Sequence, residues 1–467
     1  MPPFQAGRAE RKSDPGEGAH GRVTYDANRN SMPPTPTGNA AAAPVASDTA
    51  FVRAIGRWDL TAAVVNGVIG SAIFGMPAEQ ARLTGASSPL VALVAGVGVL
   101  TIVLCFAEVA SRFREPGGPY LYAREAFGPF VGFQAGWLTL WIRITALAAN
   151  LNVFVEYLSR ILPAAASPPG RVVVMTAVMA VITALNVRGV RQATWAVDLL
   201  TLAKLAPLVL LVLLGMGNVR AEVLATQAVE HPQWTQAVLL LMFAYGGFEA
   251  PLIPAGEARD PRRDTAFALL VALGIIATVY TLVQLVVVGV VPHLAGTPAP
   301  VAAAFQVLLG GPGLGLAIAA ALVSIWGYST GTVLQSPRIL FSMAERGELP
   351  SSLSRIHPRY RTPDVAILVF SAVALALGVA GSFAWIATLS AIVRLVTYAL
   401  TCGALLVFRR RRPDEEVGFW LPAAPLVAGI AILFCLWLLS TRTFAQAWVL
   451  AGIMVLGVLV GKRPRNG

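Results

Sequence analysis

The sequence contains little charge for its length. Only 13% of its 467 residues are Asp, Glu, Lys or Arg, whereas 56% belong to the hydrophobic set. Soluble domains carry about 25% charged residues. So few charges could not cover the surface of a soluble protein of this size. The composition therefore argues against an ordinary soluble enzyme, a disordered chain and a collagen.

Cysteine and histidine are also scarce. Three cysteines lie far apart in apolar runs, and no CxxC pair exists, so neither a disulfide framework nor a redox motif is indicated. The four histidines lie outside the middle of the apolar runs and lack metal-ligand spacing. No Walker A motif appears, which argues against ATP-driven transport in cis. We therefore expect no catalytic residue, no metal and no cofactor.

The first fifty residues are rich in Pro, Gly, Ala, Ser and Asn, and they contain no apolar run. Such a segment cannot bury enough surface to offset its chain entropy, so residues 1–50 are predicted to be a disordered cytoplasmic tail. No signal-peptide core precedes the first long apolar segment.

The rest of the chain repeats apolar segments of the length that a membrane span requires, about 20 residues. The recurring apolar segments, and the Gly- and Pro-containing breaks between them, predict an all-α integral membrane protein with twelve spans. The transporter core would be residues 51–412, with repeats at about 58–216 and 234–408, and residues 413–467 would hold two further helices and a short tail. The predicted spans are residues 58–83, 88–112, 129–162, 171–187, 193–216, 234–256, 264–291, 313–343, 363–381, 383–408, 419–440 and 443–461. A short interfacial helix at about 299–309 would precede the eighth span.

The basic residues predict the orientation of these spans. With the N-terminus inside, 27 of the 35 Lys and Arg residues fall in cytoplasmic segments and five fall outside. Cytoplasmic loops of membrane proteins collect such residues, so both termini are predicted to be cytoplasmic at the plasma (inner) membrane. The net charge thus needs no nucleic acid as its partner. Three cations remain deep within spans, Arg143, Lys204 and Arg394.

Two of the spans are interrupted by glycine and proline. Residues 66–77 read NGVIGSAIFGMP, and residues 243–251 read FAYGGFEAP. Such residues make a continuous helix costly, and irregular backbone survives at membrane depth only when it is buried or lines a cavity. Paired breaks in corresponding spans typify secondary transporters. Unwound amides attract a carboxylate and free carbonyls attract an ammonium group, which together suit an α-amino acid. The alternative is that these glycines only permit close helix packing.

Four segments resemble motifs of the amino acid–polyamine–organocation (APC) superfamily. Residues 67–77 resemble its GxIGSGIF segment, and residues 243–261 resemble its sixth-helix motif FAYGGFE…E…NP. Residues 115–120 match its PxxGGxYxYxxxxFG segment, and residues 336–350 resemble SRxxYAMARDGxLP. The likeness covers about residues 55–412 in matching order. It implies the five-plus-five inverted repeat of the LeuT fold and an amino-acid permease that works by alternating access.

The resemblance also implies a substrate site at the two breaks. Backbone groups of the first break would hold the carboxylate, and Ala72 replaces a usual glycine there. Carbonyls of the second break would hold the amino group, Phe243 would form an aromatic gate, and nearby side chains would read neutral, basic or aromatic substrates. The predicted substrate-binding residues are Ile69, Gly70, Ser71, Ala72, Ile73, Phe243, Ala244, Tyr245, Gly246, Phe248 and Glu249.

Ionisable and aromatic residues in the spans extend this prediction. In sodium-independent members of the superfamily, a lysine at the position of Lys204 replaces a sodium ion, so Lys204 is predicted to act in coupling or gating; a structural tether is the alternative. Candidates for the pathway are Arg143, Trp326, Tyr328 and Arg394, and a structural ion pair is the expectation for Arg394. Glu249 would either read the substrate or anchor the sixth span. Candidate partners for the two arginines are Glu249, Glu108 and Glu156.

The predicted function is sodium-independent amino-acid transport, as proton symport or as exchange. The predicted partners are the amino-acid substrate, membrane lipid and a coupling proton, and the sequence does not define the oligomeric state. A polyamine or organic-cation carrier of the same fold is the alternative, although such substrates lack the carboxylate that the first break suits. A channel would require a continuous polar pore, which the sequence does not indicate.

Overall fold

The computed structural model describes residues 56–113, 118–189, 194–252 and 260–461, so the predicted tail lies outside the described residues. Within these ranges all regular structure is helical, as predicted. The sixteen α-helices are α1 Arg57–Val68, α2 Ala72–Thr84, α3 Ser88–Ser111, α4 Gly118–Phe127, α5 Pro129–Leu158, α6 Pro168–Arg188, α7 Thr194–Gly215, α8 Ala221–Ala225, α9 Trp234–Ala244, α10 Pro261–Val290, α11 Pro300–Gln335, α12 Pro337–Glu345, α13 Asp364–Ala380, α14 Phe383–Arg411, α15 Ala424–Ser440 and α16 Phe444–Val460.

The helices follow the predicted apolar segments, but several of their ends differ, and the sixth predicted segment is helical only to Ala244. The eighth segment ends as α11 at Gln335 and restarts as α12 at Pro337, because proline has no N–H for a continuous ladder. The eleventh segment begins later than predicted, at Ala424, after Ala423 adopts a left-handed φ of 50°. The third segment ends at Leu158 rather than at residue 162.

The predicted interfacial helix at about 299–309 forms the first part of α11. Gly310 has non-helical backbone angles, with φ 66° and ψ −146°, and separates it from the long remainder of the helix. Glycine adopts a positive φ at no steric cost. A local sequence signal therefore predicted this boundary.

In the part of the chain that the structure describes, six helical stretches are long and apolar enough to cross a membrane. They are Ala72–Ser111, Pro129–Leu158, Pro168–Arg188, Arg262–Val290, Pro300–Glu345 and Phe383–Arg411. A seventh candidate is the pair α15 and α16, which bends by 115° at its break, and shorter apolar helices include α9 and α13. Apolar side chains such as Val173, Leu213, Leu433 and Leu459 are between 66% and 76% exposed, as expected for a surface covered by lipid.

The interrupted helices lie at the centre of the bundle. Helix α3 packs along α10, and α5 packs along α14. Within this frame α1 contacts α10 and α7, while α2 and α9 contact each other. Most residues of α2 and α9 are buried. The bundle therefore encloses both breaks in protein, where irregular backbone can be tolerated.

An ion-pair cluster joins helix ends on the predicted cytoplasmic side. The buried Glu108 carboxylate accepts hydrogen bonds from Arg112 (2.7 Å) and from Arg409 (2.6 Å), and the backbone N–H of Leu421 completes the set at 3.0 Å. Glu108 is thus engaged away from Arg143 and Arg394. Arg409, near the end of α14, thereby ties α14 to α3.

Candidate functional site

The first break separates α1 from α2 at residues 69–71. Helix α1 ends at Val68, and the N–H of Gly70 donates to the Val68 carbonyl at 2.8 Å. Any side chain at Gly70 would be crowded, because an added Cβ would lie 3.3 Å from the ring of Tyr328. Glycine therefore lets the broken backbone approach α11 closely.

The start of α2 leaves backbone donors available. Ser71 N–H donates to Asn150 Oδ1 on α5 at 2.8 Å, whereas the N–H groups of Phe74 and Gly75 turn back to the Ser71 carbonyl. Among the described residues, the N–H groups of Ala72 and Ile73 have no acceptor, and the buried Ser71 hydroxyl has no partner. A helix N-terminus with free amides favours a carboxylate.

The second break follows α9, which ends at Ala244. The Phe243 carbonyl accepts from Gly246 N–H at 3.2 Å, and the Ala244 carbonyl accepts from the Tyr280 hydroxyl at 3.1 Å. Each carbonyl oxygen has two lone pairs, so each can accept a further hydrogen bond. The break thus presents acceptors beside the donors of α2.

Glycines bring the two breaks into contact. Gly247 has a φ of 121°, and an added Cβ would lie 2.2 Å from the carbonyl oxygen of Gly67. A Cβ on Gly67 would in turn lie 3.1 Å from the carbonyl oxygen of Gly247. Close glycine packing, the predicted alternative to a site, is therefore present together with the unwound backbone.

A small cavity lies between the breaks. Its volume is about 20 Å³, and residues lining it include Ala72 and Ile73 of α2, Ala244 of α9, and Tyr280 and Gln284 of α10. One water molecule needs about 10–15 Å³ of such volume, so this conformation has no room for a whole amino acid.

The predicted aromatic residues occupy different surroundings. Phe243 is buried with its ring 6.0 Å from that of Phe383. The Tyr245 hydroxyl donates to the Ala92 carbonyl on α3 at 2.8 Å. The ring of Phe248 packs on Phe106 at 5.1 Å and on Tyr398 at 5.2 Å, and the half-buried Trp326 packs against the apolar core. These contacts give Tyr245 and Phe248 packing roles in this conformation.

Lys204 holds the end of α1. Its buried ammonium donates to Asn66 Oδ1 at 2.6 Å, to the Ile69 carbonyl at 3.2 Å and to the Asn66 carbonyl at 3.4 Å. It also lies 5.9 Å from the centre of the Tyr328 ring on α11. One side chain thus contacts the first and eighth predicted spans at the break.

Glu249 is fully buried, and its carboxylate is surrounded by polar groups of α5, α14 and the second break. Its Oε1 accepts from Arg394 Nη1 at 2.6 Å, with Arg143 Nη2 at 3.4 Å, and its Oε2 accepts from the Tyr398 hydroxyl at 3.1 Å and from Gly247 N–H at 2.9 Å. Glu249 therefore anchors the second break to α14 in this conformation. The expected ion pair of Arg394 is present, and Glu249 is its partner.

A second cavity opens on the other side of Tyr328. It has a volume of about 70 Å³, and residues that line it include Asn66, Arg143, Tyr328, Gly331 and Gln335. It adjoins the Lys204 contact through Asn66, and it adjoins the Glu249 cluster through Arg143. Tyr328 therefore borders both the first break and this polar cavity.

Several contributing residues were absent from the sequence prediction. Asn150 caps Ser71, Tyr280 bonds the Ala244 carbonyl, Tyr398 completes the Glu249 cluster, and Asn66 receives Lys204. Each is a polar residue inside an apolar span, and that signal could have marked them as candidates. Their partners lie far away in the chain, so the sequence did not reveal the pairings.

The similarity to known proteins extends over nearly all of the described chain. The sequence profile of the family described as "Amino acid permease" matches residues 55–459. The serine/threonine exchanger SteT of Bacillus subtilis is 26% identical over 435 residues, which span 90% of this chain and 99% of that protein.

Two further relatives from the same organism show a comparable similarity. The branched-chain amino acid permease BcaP is 26% identical, with 88% of this chain and 94% of that protein covered. The methylthioribose transporter is 27% identical, with 87% and 93% covered. Similar proteins are thus named for chemically different substrates.

Proposed function

Because the chain belongs to the amino acid permease family, we propose that it is a secondary transporter, rather than an enzyme, that moves amino acids across the plasma membrane by alternating access. Two of the relatives described above are named for amino acids, and none of the three is named for a polyamine. This favours an amino acid over the polyamine or organic-cation alternative.

In the proposed architecture the chain has twelve spans, arranged as two inverted five-span repeats followed by α15 and α16. The two broken segments stand at the first position of each repeat and contact each other through Gly67 and Gly247. The distribution of basic residues supports cytoplasmic termini, as in the sequence analysis.

The substrate would bind at the two breaks. The observation that carries this proposal is the pair of free N–H groups at Ala72 and Ile73, which border the same small cavity as the Ala244 carbonyl. Amide donors on one wall and a carbonyl acceptor on the other match the two charged ends of an α-amino acid. The small cavity would enlarge when the helices around it separate.

The transporter would not require sodium. The carbonyls of Asn66 and Ile69 are the kind of oxygens that coordinate a cation at a helix break, and the ammonium of Lys204 already bonds them. Transport would then be coupled to a proton or to exchange of a second amino acid. Symport and exchange differ in whether substrate on the far side is required.

A ligand screen tests the proposed function. The purified protein is heated with each of the twenty amino acids, with common polyamines and with methylthioribose. A ligand at 100 times its Kd stabilises a folded protein by about 2.7 kcal/mol, which raises its Tm. We expect an amino acid to raise the Tm; a shift with a polyamine or methylthioribose and with no amino acid would overturn the proposal.

A variant pair locates the binding. Ala72→Val adds bulk at the small cavity, so we expect at least tenfold weaker amino-acid binding. Ala180→Val makes the same change on the exposed face of α6 and should bind amino acids normally.

Uptake into proteoliposomes without sodium, with either a proton gradient or internal amino acid, distinguishes symport from exchange. An absolute sodium requirement would contradict the role given to Lys204.

A further inference from the structure

The buried charges around the breaks do not balance. Three cationic side chains, Arg143, Lys204 and Arg394, are buried there, and Glu249 is the one carboxylate of the described residues that pairs with any of them. Within the described ranges, Lys204 bonds only neutral oxygens. Buried charge without an opposite charge is costly, so this region favours a further anion.

Arg143 carries the excess. It lies in the middle of α5 with 5% of its side chain exposed, and it forms no hydrogen bond to any described residue. Its Nη2 approaches Glu249 Oε1 at 3.4 Å, but that carboxylate is already engaged by Arg394, Tyr398 and Gly247. The guanidinium of Arg143 therefore retains its capacity for a second anion.

This guanidinium borders the polar cavity beside Tyr328. One water molecule needs about 10–15 Å³ of such volume. The volume of about 70 Å³ is therefore room for a carboxylate group. Asn66 and Gln335 add polar groups to the lining. Since Tyr328 borders Gly70 as well, the cavity lies next to the proposed substrate site.

We propose that this cavity is a second carboxylate-binding site, in which Arg143 receives the substrate carboxylate after it leaves the amides of Ala72 and Ile73. The proposal rests on the proposed function. It adds a second binding position on the path of the substrate toward the basic, predicted cytoplasmic side. A guanidinium binds a carboxylate through two parallel hydrogen bonds, which gives both strength and orientation.

Propionate tests the site, because it has a carboxylate but no amino group for the second break. The Tm of the purified protein is measured against propionate, with chloride at equal ionic strength as the reference. We expect saturable stabilisation of the wild type, at least tenfold weaker binding by Arg143→Gln, and partial retention by Arg143→Lys. Unchanged propionate binding by Arg143→Gln would overturn the proposal.

A cavity-filling variant tests the same site without changing any charge. Gly331 lines the cavity, and a Cβ added there would meet nothing within 4 Å, so Gly331→Leu places a side chain in the space. Gly315 on the same helix is equally open but does not line the cavity, which makes Gly315→Leu the matched control. We expect only Gly331→Leu to lose propionate binding. Equal binding by both variants would contradict the site, even if Arg143→Gln failed to fold.

The two proposals fail in different ways. If no amino acid stabilises the wild type, the proposed function fails, whatever propionate does. If amino acids bind and are transported but propionate binding is insensitive to Arg143 and Gly331, the second site alone is wrong. If the site is correct, Arg143→Gln should also slow amino-acid transport at least tenfold, while Gly315→Leu transports at the wild-type rate.

Discussion

At the scale of single residues, buried polar side chains organise the two breaks. Glu249, Lys204 and Asn150 each bond backbone or side-chain groups of a broken segment. In an apolar bundle a polar group that loses its partner incurs the full desolvation cost, so such contacts select one arrangement of the breaks. Their loss should be measurable one residue at a time.

Glu249→Gln should destabilise the protein by about 3–5 kcal/mol, because it leaves Arg143 and Arg394 buried without a counter-charge. Thermal unfolding of the detergent-solubilised protein measures the loss. The matched control is Glu79→Gln, which removes the partly exposed pair with Arg82 and should cost at most about 1 kcal/mol. Equal stability of the two variants would show that the buried cluster contributes nothing.

Lys204→Ala should slow transport at least tenfold and flatten its pH dependence, because the end of α1 loses its contacts with α7 and a titratable group is removed. Lys204→Gln retains N–H donors but not the charge. Uptake rates of both variants across a pH series separate a tether from a proton carrier. A Lys204→Ala protein with the wild-type rate and pH dependence would contradict both roles.

At the scale of elements, glycine permits the broken helices to touch. Gly246 lies so close to Arg394 that an added Cβ would fall 2.1 Å from its Nη1, and Gly247 meets Gly67. Because glycine has no Cβ, the backbone at these points can leave the helical conformation while neighbouring groups still pack closely against it. The breaks are thus packed features of the bundle.

Gly247→Ala should destabilise the protein by about 2 kcal/mol or more, because a φ of 121° strains an alanine and its Cβ would collide with the Gly67 carbonyl. Gly274→Ala is the matched control in the interior of α10, where the Cβ meets nothing; it should be neutral or stabilise by about 1 kcal/mol. Thermal shifts of the two purified variants decide the matter. A stable Gly247→Ala protein would exclude the contact.

Glu348, which follows α12, contacts helix α4. Its Oε1 accepts from the Tyr120 hydroxyl at 3.3 Å and lies 3.5 Å from Arg124 Nη1, both on α4, and Arg346 also donates to Tyr120. Burial raises the pKa of the Glu348 carboxyl above its ordinary value of 4.5. The folded protein then holds this proton more tightly than the unfolded chain, so stability falls as pH rises above about 4.5 toward the folded-state pKa.

Glu348→Gln cannot ionise, so its Tm relative to the wild type should rise across that window. Thermal unfolding of both proteins between about pH 4 and about pH 7 measures the difference. This range begins near the pKa of an ordinary carboxyl group and extends above it. Glu345→Gln, on the exposed face of α12, is the control and should show no such trend. A difference between Glu348→Gln and wild type that stays constant with pH would be incompatible with the raised pKa.

At the scale of the whole molecule, the charge distribution and the apolar surface predict how the protein lies in a bilayer. The predicted cytoplasmic segments contain 27 of the 35 Lys and Arg residues, and apolar side chains remain exposed on the outside of the bundle. The positive-inside rule converts this asymmetry into an orientation.

Cysteine labelling tests that orientation. The three native cysteines are buried, so they should give little background with a membrane-impermeant maleimide. Arg359→Cys, in the basic segment before α13, should be labelled only in inside-out vesicles, and Arg160→Cys, after α5, only in right-side-out vesicles. The reverse pattern would place the termini outside.

The sequence by itself determined where the apolar helices lie, where α1, α9 and α11 break, and which charges are stranded among apolar residues, because these features depend on local composition and on glycine and proline. The family motifs pointed to the same two breaks. Only the tertiary structure decided that Glu249 holds Arg394 with Arg143 nearby, that Lys204 bonds Asn66 and Ile69, and that Asn150 occupies the Ser71 amide. These partners lie up to 145 positions apart, and their meeting depends on how the helices pack.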